Sequence, residues 1–129
     1  MSLNQNPVMP TDSELEILQL LWEHGESSVR FINEKLNLKR EVGYTTTLKI
    51  MQIMNDKGLV KRNTGQKIHL YKAALQENKA KTTMVNEFIT NAFNGSAKEL
   101  VMHALGHHKA TANELEEIKA LIQSLEKQS

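Results

Sequence analysis

The sequence predicts a mostly α-helical protein interrupted once by a small β-hairpin. Three observations carry that expectation. Apolar residues recur at three- and four-residue spacing over most of the chain, and several of these runs open on Ser or Thr and close near Gly. The period drops to two only between residues 59 and 73. Six glycines and two prolines in 129 residues, with 5% aromatics, suit helices.

The elements follow in order. Residues 1–9 carry no pattern and are expected to form a flexible N-terminus. Thr11 and Glu14 form a T-x-x-E capping box, each side chain serving a backbone N–H of the first helix. That helix should end at Gly25 and bury Leu15, Ile17, Leu18, Leu20, Leu21 and Trp22, with Trp22 as the main core aromatic of the first half. Glu14, Glu16, Gln19 and Glu23 are expected on its other side. A second helix should start at Ser27 or Ser28, either able to cap, and bury Val29, Ile32 and Leu36. Residues 38–42 are a connector. The third helix is expected from Gly43 or Tyr44 to Lys57, stopped by Gly58, with Leu48, Met51, Met54, Ile50 and Ile53 on its buried side. Residues 59–63 and 68–73 then flank a Gly-containing turn, which makes a hairpin.

From Gln76 the pattern is helical again. A long helix over 76–93 carries Met84, Val85, Phe88, Ile89, Ala92 and Phe93 on one stripe. Ser96 and Glu99 form a second capping box, opening a short helix containing Leu100, Val101, Ala104 and Leu105, broken by the stretch Gly106–Ala110. Thr111 and Glu114 form a third box, opening a last helix with Leu115, Ile118, Ile122 and Leu125 at 3-4-3 spacing. Three such helices cannot cover one another's apolar faces, so they need the first domain or a second copy of themselves. The boundaries expected are 10–74 for the first domain and 75–129 for a helical dimerisation domain, with Phe88, Phe93, Leu100, Leu115, Ile118, Ile122 and Leu125 as its contact residues.

Composition excludes several functions. With no cysteine there is no disulfide scaffold, thiolate metal site or cysteine nucleophile. No apolar run approaches the roughly 20 residues of a membrane span. The first ten residues show no export signal, so a cytoplasmic protein without direct membrane association is expected. No Ser-His-Asp order, phosphate loop or paired carboxylates suggest an enzyme. His103 and His107 stand at i, i+4 with His108 beside them, but two imidazoles make a weak metal site, so no metal ligand and no cofactor are assigned.

The net charge is only +1, and its distribution is more informative. Between residues 57 and 72 there are five basic residues, Lys57, Lys61, Arg62, Lys67 and Lys72, and no acid. That run lies on the hairpin. Three helices followed by a basic hairpin is the order of a winged helix-turn-helix, in which the third helix enters the major groove and the wing lies along the backbone or minor groove. Tyr44, Thr45, Thr46 and Lys49 are then candidates for base contacts, and Gln52 for a base edge or a phosphate. Lys61, Arg62 and Lys67 are phosphate candidates. Arg30, Lys39 and Arg40 are better read as solubilising charge. A winged helix that binds only protein, or a regulator sensing metal through His103 and His107, are the alternative readings.

At these residues the chain resembles a known family. Gly43-Tyr44-Thr45-Thr46-Thr47-Leu48-Lys49-Ile50-Met51, Asp56-Lys57-Gly58-Leu59-Val60-Lys61-Arg62 and Tyr71-Lys72 are similar to the penicillinase repressors of the BlaI/MecI type. Glu14-Leu15-Glu16-Ile17-Leu18 with Trp22, and Phe93-Asn94-Gly95-Ser96 to Leu100-Val101, fit as well, so the resemblance covers about residues 10–127. It implies a homodimeric transcriptional repressor bound to a palindromic operator in double-stranded DNA. In the type members release follows cleavage within the C-terminal domain once a membrane sensor detects a β-lactam, while other members serve unrelated regulons, so release by cleavage or by another signal acting on that domain is expected here. The type members are cut at an Asn–Phe pair, where alignment on Leu100-Val101-Met102 puts His103-Ala104 in this chain. A copper-responsive branch uses a C-terminal Cys-x-Cys hook, which a cysteine-free chain lacks.

Overall fold

The computed structural model describes residues 9–107 and 110–128. In chain order these form α1 (Asp12–His24), β1 (Ser27–Ser28), α2 (Val29–Leu36), α3 (Tyr44–Lys57), β2 (Val60–Asn63), β3 (Leu70–Ala73), α4 (Glu77–Phe93), α5 (Ala97–His107) and α6 (Ala112–Gln128). Two compact units divide between Met84 and Val85, part-way along α4. The expected flexible stretch 1–9, apart from Met9, and His108 lie outside the described residues.

In the first unit the helix signals act as expected. Glu14 N–H donates to Thr11 Oγ1 (3.2 Å) and Thr11 N–H to Glu14 Oε1 (2.9 Å), closing the capping box. Ser28 caps α2 by accepting from Phe31 N–H at 3.1 Å. Gly58 ends α3 at φ 82°, a left-handed conformation where a Cβ would be strained. The hairpin, however, is not alone. Ser27 and Ser28 pair antiparallel with Tyr71 and Leu70, so β3 is the centre of a three-stranded sheet ordered β1-β3-β2. Two residues have no readable period, which is why this strand was not legible beforehand.

Two core assignments are corrected. Tyr71, at 1% exposure, is the buried aromatic of this unit. Trp22 is half-buried, and its Nε1–H donates to the Leu75 carbonyl at 3.0 Å, so its polar edge faces the chain leading into α4. Ile53 is exposed, because Thr47, Met51 and Met54 define the buried line of α3 and Ile53 falls about a third of a turn from it.

Glu14 is buried, not on the solvent side. Both its carboxylate oxygens accept from Lys57 Nζ, at 2.8 and 2.9 Å, so Lys57 ties α3 to α1 and leaves the basic run. Burial by itself raises the Glu14 carboxyl. Hydrogen bonds from Lys57 and Thr11, with the Lys57 charge, outweigh burial and hold it below its ordinary value. A carboxyl lowered in the folded state stabilises the fold above its unfolded pKa, and that contribution is lost as pH falls through the folded one. The Lys57 side chain remains about a third exposed (31%), so screening reduces the pair below a fully buried one. Lys57→Met is expected to cost about 1–3 kcal/mol at pH 7. Urea melts should show that difference shrinking as acid protonates Glu14; an equal difference at pH 7 and in acid would contradict the assignment.

In the second unit α4 ends through Asn94 (φ 52°) and Gly95 (φ 83°). Ser96 and Thr111 accept from the Glu99 and Glu114 N–H groups at 3.1 and 3.0 Å, but neither glutamate side chain returns a bond to the Ser96 or Thr111 N–H, so each of these two boxes is half closed. Gly106 does not break α5, which runs on to His107. A single glycine lowers helix propensity by about 1 kcal/mol, comparable to what one side-chain cap contributes. No described residue of α5 or α6 is buried.

Candidate nucleic-acid interface

The site starts from the way α3 is placed. Thr47, Met51 and Met54 pin one side of the helix into the core. At 100° per residue, Thr45, Lys49 and Gln52 lie on the opposite side, and all three are exposed. Tyr44 (50% exposed) and Thr46 flank them in the first turn. Gly43 precedes that turn and supplies no side-chain cap to its N–H groups.

The sheet is held to the same helix. Asn55 Oδ1, near the end of α3, accepts from Arg62 N–H at 3.2 Å. Between α3, the start of α2 and the hairpin lies a groove of about 520 Å³. Of the sequence-predicted residues, Tyr44, Gln52, Arg62 and Lys67 line it. Arg30, Ser28, Ile68, His69 and Tyr71 line it as well, and no acidic residue does. Arg30, read from sequence as solubilising, stands here with only a loose pair to Glu34 at 3.7 Å. Arg40 does behave as surface charge: its Nη1 donates to Glu16 Oε2 at 2.7 Å, and that bond holds the Glu16 carboxyl below its ordinary value.

Lys61 is not brought together with Arg62. Strand residues alternate between faces, and Arg62 pairs directly with buried Tyr71. Lys61 pairs instead with Lys72 on the other face of the sheet, and both are exposed. Like charges directly opposite in a ladder are destabilising, and among the described residues no ion pair relieves either. Lys72, like Lys57, has no role assigned from the sequence; only the strand register reveals what it faces.

In the second unit Phe88 (54% exposed), Leu115 (39%), Ile122 (47%) and Leu125 (54%) are open to solvent, while Phe93, Leu100 and Ile118 are half-buried. Phe93 stacks edge-on with Phe88 (centroids 5.6 Å apart) and lies 5.9 Å from His103. His103 and His107 stack at 4.5 Å, and His107 Nδ1 lies 3.0 Å from the His103 carbonyl. His103 and Ala104 are exposed on α5. Among the described residues no group of three or more His, Cys, Asp or Glu is placed to hold a metal ion, and no helix is long and apolar enough to cross a membrane.

Three helices and a basic wing, with the third helix turning a polar and cationic side outward, form a winged helix-turn-helix. The chain belongs to the penicillinase repressor family, whose model matches residues 10–124. That membership places it among transcriptional repressors and not among enzymes. It is 21% identical over 112 residues to the methicillin resistance regulatory protein MecI of Mammaliicoccus sciuri, covering 87% of this chain and 91% of that one. MecI of Staphylococcus aureus strain N315 is 20% identical over the same shares. The fold is similar to that of a MarR family protein from Bacillus stearothermophilus, with a TM-score of 0.53 and 17% identity over 92% of this chain and 74% of the other.

Proposed function

We propose that the protein is a homodimeric cytoplasmic repressor that binds an inverted-repeat operator, reading bases with α3 and holding phosphates with the wing. The observation that carries this reading is the acid-free groove in which Tyr44 and Gln52 of α3 meet Arg62 and Lys67 of the hairpin. Tyr44, Thr45, Thr46, Lys49 and Gln52 face the major groove. The uncapped first turn of α3 supports a phosphate on its N–H groups. Lys61, across from Lys72, contacts phosphate from the outer face of the wing.

The helices from residue 75 onward form the dimerisation domain, which places two copies of α3 about one DNA turn apart, roughly 34 Å. Release follows from a signal acting on that domain, either cleavage near His103–Ala104 by a membrane sensor protease or another input. Helix α5 suits it, because a helix with no buried residue opens locally at low cost. Selection of bound duplexes from a random pool tests the reading and is expected to return an inverted repeat. A single asymmetric half-site bound at full affinity would overturn it.

The division of labour has its own test. Arg62→Ala with Lys67→Ala is expected to weaken binding to every sequence alike, each lost phosphate contact lowering the log–log salt slope by about 0.9. Thr46→Ala or Lys49→Ala is expected to change which bases are preferred. If both kinds of variant produce the same sequence-blind loss in filter binding, the assignment fails.

A further inference from the structure

In the segment joining α2 to α3, the Leu38, Lys39 and Arg40 N–H groups donate to the carbonyls of Lys35 and Leu36, and side chains hold Val42, the residue before Gly43. Asn37, at the end of α2, grips both backbone groups of Val42: its Oδ1 accepts from Val42 N–H at 3.1 Å and its Nδ2 donates to the Val42 carbonyl at 2.9 Å. The same Nδ2 lies 2.7 Å from the Asn33 carbonyl. Asn33 Nδ2 donates to the Val42 carbonyl at 3.0 Å and to Thr47 Oγ1 at 2.9 Å. Thr47, fully buried in the first turns of α3, passes its own hydroxyl proton toward the Gly43 carbonyl at 3.4 Å.

We infer that Asn33 and Asn37 are positioning residues that set the rotation and advance of α3 against α2, and so the base preference of the protein. The inference rests on the DNA-reading role of α3 proposed above. A helix start is normally fixed by its own capping side chain. Gly43 supplies none, so the two asparagines hold the residue just before it instead. The first-turn N–H groups of α3 therefore carry no side-chain cap, while the turn itself is located by the network. Asn37 is exposed, yet its amide is spent on the loop, so its loss removes geometry and not a cation.

The test uses the full chain with a duplex selected by the wild type and a scrambled duplex of equal length. Asn37→Ala is expected to lose about tenfold in affinity for the selected duplex and less than twofold for the scrambled one. Its salt slope should be unchanged, because no phosphate contact is removed. Hydrogen exchange at the Val42 amide should quicken. Asn33→Ala, measured the same way, should lower the same ratio. Equal losses on both duplexes, a slope lowered by about 0.9, or unchanged affinity for both would overturn the inference. Failure of the DNA-reading role itself would show differently, as a wild type that enriches no sequence.

Discussion

Ile122→Asp with Leu125→Asp is expected to convert the protein to a monomer and to cost it two or more orders of magnitude in affinity for a palindromic duplex. Both side chains are about half exposed in the single chain, and with Leu115 and Ile118 they form the 3-4-3 stripe of α6. Helix α6 buries no residue of its own, and the proposed dimer would cover its apolar face. Buried carboxylates without partners are costly enough to prevent that contact. Joining two reading heads makes the second half-site an intramolecular event worth about 10²–10⁴ in avidity. Sedimentation and gel shift on the selected palindrome check both halves. The first unit should keep its melting transition, since neither residue belongs to it. A doubly substituted chain that still sediments as a dimer would remove α6 from the interface. Cleavage of a protease site engineered at His103–Ala104 should release the operator by the same logic, since the cut separates α6 from the rest.

Tyr71→Ala is expected to cost the first unit about 3–5 kcal/mol, the range for removing a large buried aromatic. Tyr71 sits on the central strand, opposite Ser27 on one side and Arg62 on the other, and is 1% exposed. For a unit of this size each kcal/mol moves the melting temperature by about 4–8 °C, so a fall of well over 10 °C is expected. Trp22→Ala should cost less, because Trp22 is half-buried and contributes one hydrogen bond to Leu75. Tyr71→Phe keeps the packing and should lie within about 1 kcal/mol of the wild type. Thermal melts of the three variants decide the order; a larger loss from Trp22→Ala would return Trp22 to the centre of the core.

The exposed face of the candidate interface on α3 can be read from helical spacing. Tyr44, Thr45, Thr46, Lys49 and Gln52 lie on α3 and are exposed, because helical spacing alone separates them from Met51 and Met54. The basic run was legible as a run but not as a surface. Register sends Arg62 to the groove and Lys61 and Lys72 to the other face, and the packing of α3 against α1 takes Lys57 to Glu14. Asn33 and Asn37 left no periodic signal, since an amide that grips a loop looks in sequence like any polar surface residue.

Where the helices begin, and where α1, α3 and α4 end, could be read from the sequence, because caps and glycine stops act within a few residues of backbone. The sequence by itself also determined that the chain would be helical with one hairpin, since hydrophobic period is a local property. Tertiary structure decided what periodicity cannot encode. It brought the two residues of β1 to β3 and exchanged Trp22 for Tyr71 at the centre of the core. It also turned an outward-reading Glu14 inward once Lys57 arrived from 43 residues away. A buried carboxylate is stable only beside a cation and hydrogen-bond donors, and which distant residue supplies them is settled when the helices pack.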